Sequence, residues 1–214
     1  MVVRPSGPEL EEHLDVPAGD AGRLRVAFEH VGDRFRHVIG LSSAGEFRPL
    51  IASVEGDASQ AWPPSPPLQQ LHVESRGEQG DVALLVGMAG RSHWSLSVEP
   101  CGGPIGDAVG FIFDVACRSP EVPQFLGSRY VALKGAWRLE GTDCAVLESP
   151  HAVGRLVIET LPQDQPDAGS VGYAMEIDAA ELSLALSTPP EAETGKRSAT
   201  TARWRYRIHW QSAG

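Results

Sequence analysis

The chain has 214 residues, enough for one well-buried core or at most two small ones. Hydrophobic residues make up 42% and charged residues 21%, a globular balance that excludes wholesale disorder. The formal net charge of -10 repels phosphate and argues against non-specific nucleic-acid binding.

The first 22 residues are rich in Pro, Gly and acid. They read as a tail or loose lead-in, with one helical turn at most over Glu9–Leu14. Four of the seven residues Glu9–Asp15 are acidic, so the start has no apolar signal-peptide core. No run reaches the roughly 18 apolar residues that a membrane-spanning helix needs. Cys101, Cys117 and Cys144 are odd in number and show no C-x-x-C spacing, which suggests reduced thiols and a cytoplasmic location. Residues 23–214 are expected to form a single domain.

From Leu24 the pattern has period two. Leu24–Val31 and Arg34–Leu41 flank Gly32-Asp33, a pair suited to a type II′ turn. Pairing Val31 with Arg34 sets Val26 against Ile39, Leu24 against Leu41, Phe28 against His37 and Glu29 against Arg36. Turn chemistry, apolar face and charge pairing agree on one register. Further strands are expected at 48–55, 70–76, 82–88, 93–99, 110–118, 128–139, 145–149, 155–161, 171–178, 182–187 and 202–211. Two loops stand out: the proline run Trp62–Pro67, a surface loop anchored by Trp62, and Thr188–Thr201, a candidate mobile loop. No stretch carries a sustained helical stripe. About a dozen short strands with polar turns point to an all-β fold, an antiparallel β-sandwich or β-barrel.

Candidate chemistry concentrates in residues 70–118. His72 and Glu74 share one strand face, and His93, Ser95, Ser97 and Glu99 share another. Symmetric pairing across residues 77–80 sets His72 opposite Leu85, and pairing across 89–92 sets Leu85 opposite Leu96. In that register His72 and His93 lie on opposite faces, unless a bulge at Gly87 or Gly90 restores the parity. Val82–Val86 is apolar on both faces, so that strand is expected to be covered on both sides. Trp94 suits stacking on a sugar ring or packing in the core.

His37 faces the apolar side of the first hairpin, as a satisfied core histidine or, in a barrel, as a lumen contact. The last strand alternates Arg203, Arg205, Arg207 and His209 with Trp204, Tyr206, Ile208 and Trp210. The aromatic set is expected in the core, and the arginines against acids such as Glu176 and Asp178. Common hydrolase, nucleotide-binding and zinc-protease motifs are absent.

Three readings follow. The first is a non-catalytic β-domain that binds a small ligand, a carbohydrate being one candidate, through His37, His72, Glu74, His93 and Trp94. The second is an enzyme using the His, Glu and Asp groups, with or without a metal, metal-assisted hydrolysis being one form. The third is a structural or protein-interaction module. No metal ligand set, nucleic-acid partner or membrane contact is expected, and the residues fix neither a cofactor nor an oligomeric state.

Overall fold

The computed structural model describes residues 12–102, 109–148, 154–162, 173–186 and 200–212. The strands are β1 (Glu12–Pro17), β2 (Arg23–Val31), β3 (Arg34–Ser43), β4 (Glu46–Ser53), β5 (Gln70–Ser75), β6 (Asp81–Ala89), β7 (Ser92–Cys101) and β8 (Gly110–Ser119). They continue with β9 (Gly127–Ala132), β10 (Ala136–Leu139), β11 (Cys144–Glu148), β12 (Gly154–Leu161), β13 (Tyr173–Asp178), β14 (Glu181–Leu186) and β15 (Thr200–Ser212). They form two antiparallel sheets, of seven strands in the order β1-β2-β3-β4-β9-β14-β13 and of eight in the order β10-β11-β12-β15-β8-β7-β6-β5. Between sandwich and barrel, the structure decides for an open sandwich.

The first hairpin folds in the expected register: Val31 pairs with Arg34, Phe28 with His37, Val26 with Ile39 and Leu24 with Leu41. Gly32 has φ 68°, while Asp33 is absent from the positive-φ residues, as a type II′ turn requires. Arg36 Nε donates to Glu29 Oε2 at 2.7 Å on the outer side. Local sequence suffices here because the turn fixes the pairing and the apolar face fixes the parity.

The N-terminal expectation is corrected where the chain is described. Residues 12–17 are neither helix nor tail. They form β1, paired with β2, with Leu14 opposite Val26 and both side chains in the core. The cause is alternation on a short scale: Leu14 and Val16 point inward while His13 and Asp15 point outward, a pattern masked by the surrounding acids. The single span expected at 128–139 also divides. β9 and β10 belong to different sheets, and the chain turns between them at Gly135, φ 90°. The Thr188–Thr201 loop lies outside the described residues except for its end in β15.

β15 lies between β12 and β8, so it is an interior strand. Trp204, Tyr206, Ile208 and Trp210 are buried as expected. The arginine partners differ from expectation, because β13, with Glu176 and Asp178, sits in the other sheet. Arg203 Nε instead donates to Asp114 on β8 at 2.7 Å, and Arg207 pairs with Glu159 on β12. The core is lined by the inward residues of both sheets, with Phe113 stacked on Tyr206 at 5.1 Å between ring centroids. Each large side chain removed from water in this way contributes about 1.5–3 kcal/mol.

One strap closes the sandwich beside this core. After β4 the chain runs without regular structure to Leu68, where Phe35 N–H donates to Leu68 C=O at 2.6 Å. Ser65 bonds both backbone groups of Arg129, and Trp62 packs edge-on against Trp94. The strap presses so closely on β6 that a Cβ at Gly87 would meet the Pro67 carbonyl oxygen at 1.8 Å. Only glycine fits at that approach.

Candidate functional site

His72, Glu74 and His93 lie on the outer face of the eight-stranded sheet and are exposed. The expected register is corrected here. Ser75 pairs with Asp81, so His72 stands opposite Leu84, which stands opposite Ser97. The loop Arg76–Gly80, with its 3-10 turn Gly77–Gln79, is one residue longer than symmetric pairing assumed. That extra residue restores the parity, and no bulge at Gly87 or Gly90 is needed. His93 pairs with Met88, four residues along from Leu84. Strand spacings then put the two histidines about 16 Å apart, on one face but not in one site.

Trp94 points the other way, into the core, and packs edge-on against Trp204 at 6.1 Å. Successive residues of a strand face opposite sides, so Trp94 and His93 share no surface. The expected cover over Val82–Val86 is corrected at one end: Val82 is buried and Leu84 half-buried, but Val86 is 47% exposed on the outer face. An apolar residue on an outer face needs no second layer when it stands in a strip this narrow.

His37 belongs to a different constellation, a polar row through the middle of the core. Its Nε2 lies 2.7 Å from Tyr130 Oη, which lies 2.8 Å from Tyr206 Oη. Tyr206 donates to Ser128 Oγ at 3.2 Å, and Trp204 Nε1 donates to the same oxygen at 3.2 Å. Because Tyr206 donates to Ser128, it accepts from Tyr130, which in turn accepts from an Nε2-protonated His37. His37, Tyr130, Tyr206 and Ser128 are all buried. Burial therefore holds His37 neutral, with a pKa down at about 3, and pushes the Tyr206 hydroxyl up to about 12.

The row has a charged neighbour where β4 meets the strap. His37 N–H donates to Ser53 Oγ at 3.0 Å, and Ser53 donates to Glu55 Oε1 at 2.6 Å. Burial raises Glu55 to about 7, against the hydrogen bond from Ser53 and the charges of Arg34 and Arg36. Arg34 is itself buried, with Nε on Asp33 Oδ1 at 2.8 Å. A carboxylic acid near 7 beside histidine and tyrosines has the composition of an acid–base site. It lacks access: the histidine and both tyrosines are sealed inside the sandwich.

Access exists elsewhere. A cleft of about 900 Å³ opens between β1 at the edge of one sheet and the β6 and β7 ends of the other. His13 to Pro17 form one wall in unbroken succession, and Gly80, Asp81, Val82, Pro100 and Cys101 belong to the other. Its charged groups are organised. Arg25 holds Asp15 through two bonds of 2.9 Å, and Arg23 approaches the same carboxylate at 3.4 Å. Burial alone would raise Asp15, but the Arg25 hydrogen bonds and the charges of Arg25, His13 and Arg23 leave it below the ordinary carboxylate range. Across the cleft Arg76 lies 3.7 Å from Glu99 and 3.9 Å from Glu74. Burial pushes the Cys101 thiol up, which disfavours the nucleophilic thiolate.

The sequence carried little warning of either place. The row needed the partner of β9, and the cleft needed β1. Among the described residues no three His, Cys, Asp or Glu side chains group to hold a metal ion, and no helix is long and apolar enough to cross a membrane. Comparison with protein-family models, with curated proteins and with solved structures finds no match. The fold and site together define an antiparallel β-sandwich with an open, charged cleft at one sheet edge.

Proposed function

We propose that the protein is a non-catalytic binding module and that the cleft beside β1 is its ligand seat. A small polar molecule is the expected ligand class, with carbohydrates the first to test. The observation that carries this reading is the coincidence in one opening of room, about 900 Å³, with fixed donors and acceptors on both walls. Ligand pockets commonly span about 300–1,000 Å³ and orient their ligand through a few placed polar groups. Arg23, Arg76, Asp15 and Glu99 offer a sugar planar donors and acceptors for its hydroxyls. No Phe, Tyr or Trp is among the described lining residues, so recognition would rest on hydrogen bonds and not on stacking.

A cytosolic location belongs to the same proposal, supported by three cysteines that are all unpaired. The catalytic reading gains a composition in the Glu55–His37 neighbourhood but no route for a substrate, and binding is preferred for that reason.

The test is a thermal-shift panel of neutral mono- and disaccharides and uronic acids on the full chain. A ligand at 100 times its Kd stabilises by about 2.7 kcal/mol, a shift of about 5–11 °C for a chain of this size. Arg76→Ala should abolish that shift, while His93→Ala should leave it intact. A shift that survives Arg76→Ala and Arg23→Ala alike would place the ligand elsewhere.

A further inference from the structure

The cleft has a feature that a sugar would leave unused. Among the described residues β1 pairs with β2 on one side only, and its other edge is the border of the seven-stranded sheet. Five consecutive residues of that strand, His13 to Pro17, line the opening, so main chain as well as side chains borders it. Edge strands present backbone N–H and C=O groups that template the pairing of another strand. Leu14 and Val16 turn into the core and Val82 and Pro100 stand on the facing wall, which gives one apolar side to whatever lies between.

The charges are unevenly spent. Asp15 is engaged by Arg25 and Arg23, and Glu99 by Arg76. Glu78 and Asp81, on the facing rim, are exposed and carry no ion pair among the described residues. The rim therefore offers two uncommitted carboxylates on a chain whose net charge is -10. A basic ligand is favoured there and an acidic one opposed.

We infer that the cleft takes an extended basic peptide, which adds as a strand to the free edge of β1 and sets its basic side chains against Glu78 and Asp81. This inference rests on the cleft being a ligand seat, as read above, and replaces the small polar molecule with a peptide. In such β-augmentation the main-chain bonds supply affinity, and the alternate side chains supply selectivity. β1, at six residues, offers an edge of about 20 Å.

The experiment uses the full chain and a fluorescein-labelled, capped hexapeptide alternating lysine and valine, read by fluorescence polarisation. Saturable binding is expected. The glutamate–valine counterpart should bind at least tenfold more weakly. Two further probes carry N-methyl groups on the lysine amides only or on the valine amides only. Alternate amides of a strand point to opposite edges, so one of these two should lose at least tenfold and the other should bind nearly as the parent does. On the protein, Glu78→Gln with Asp81→Asn should weaken binding several-fold, whereas His72→Ala with His93→Ala should not change it. Equal binding of both methylated probes, or of the glutamate peptide, would overturn the inference. Absence of peptide binding together with an Arg76-dependent sugar shift would overturn strand addition and leave the cleft reading standing. Absence of both would end both.

Discussion

The buried row and the open cleft divide between them two properties that a functional site usually combines. The row has the displaced titration behaviour: His37 held neutral, Glu55 raised to about 7, two tyrosine hydroxyls raised. The cleft has the access, with carboxylates and guanidinium groups in ordinary ion pairs. Desolvation is the leading cause throughout the first set, and desolvation is what sealing a polar group inside a sandwich does. A displaced pKa thus marks burial before it marks function. In this molecule the row is best understood as core architecture that ties His37 on β3 and Tyr130 on β9 to Tyr206 on the opposite sheet.

Variants at each place separate the row from the cleft. The largest effect is expected from Tyr130→Phe, which leaves His37 Nε2 and Tyr206 Oη without the hydroxyl between them. The stranded His37 Nε2 costs about 1–3 kcal/mol and the bond lost at Tyr206, which keeps Ser128, about 0.5–1.5, so urea unfolding should show a loss of about 1.5–4.5 kcal/mol. A loss near zero would mean the row contributes nothing to the fold.

The pH dependence of stability comes next. Glu55 has a folded pKa of about 7, above its ordinary 4.5, so its contribution is complete below 4.5 and is lost as pH rises through 7. His37 has a folded pKa of about 3, below its ordinary 6.5, so its contribution is complete above 6.5 and is lost as pH falls toward 3. Between pH 4.5 and 6.5 the two slopes oppose each other, and His209, also lowered by burial, leaves wild-type stability falling only gently toward acid. Glu55→Gln should uncover a fall toward acid of about 2–3 kcal/mol over that window. Parallel profiles for wild type and variant would show that Glu55 does not hold its proton in the fold.

Smaller changes are expected at the cleft. Arg76 sits in partly exposed pairs, so Arg76→Ala should alter the unliganded stability by no more than about 1 kcal/mol. A much greater loss would make the cleft a structural seam and bring it closer to the row in kind. Least of all, His72→Ala and His93→Ala on the outer face should stay within about 0.5 kcal/mol of wild type in the same unfolding assay.

Much of the fold was legible in the residues because alternation is a local property. The β2–β3 register could be read to the residue, since a two-residue turn leaves no freedom and a slip by one would expose Leu24, Val26 and Phe28. The same logic failed by one residue at β5–β6, where a five-residue loop stood in place of a four-residue one. That single count moved His72 to the face of His93. It failed differently at β1, whose two core residues were hidden among acids.

What the sequence determined by itself was a chain of extended, alternating segments, with the aromatic side of β15 committed to the core and the proline run anchored by Trp62. Tertiary structure alone decided which sheet each segment joined. It thereby brought His37, Tyr130 and Tyr206 together across 169 positions of chain and opened a cleft between β1 and the ends of β6 and β7. The physical reason is that a strand's faces are fixed by its own residues, whereas its neighbours are chosen by the packing of the whole.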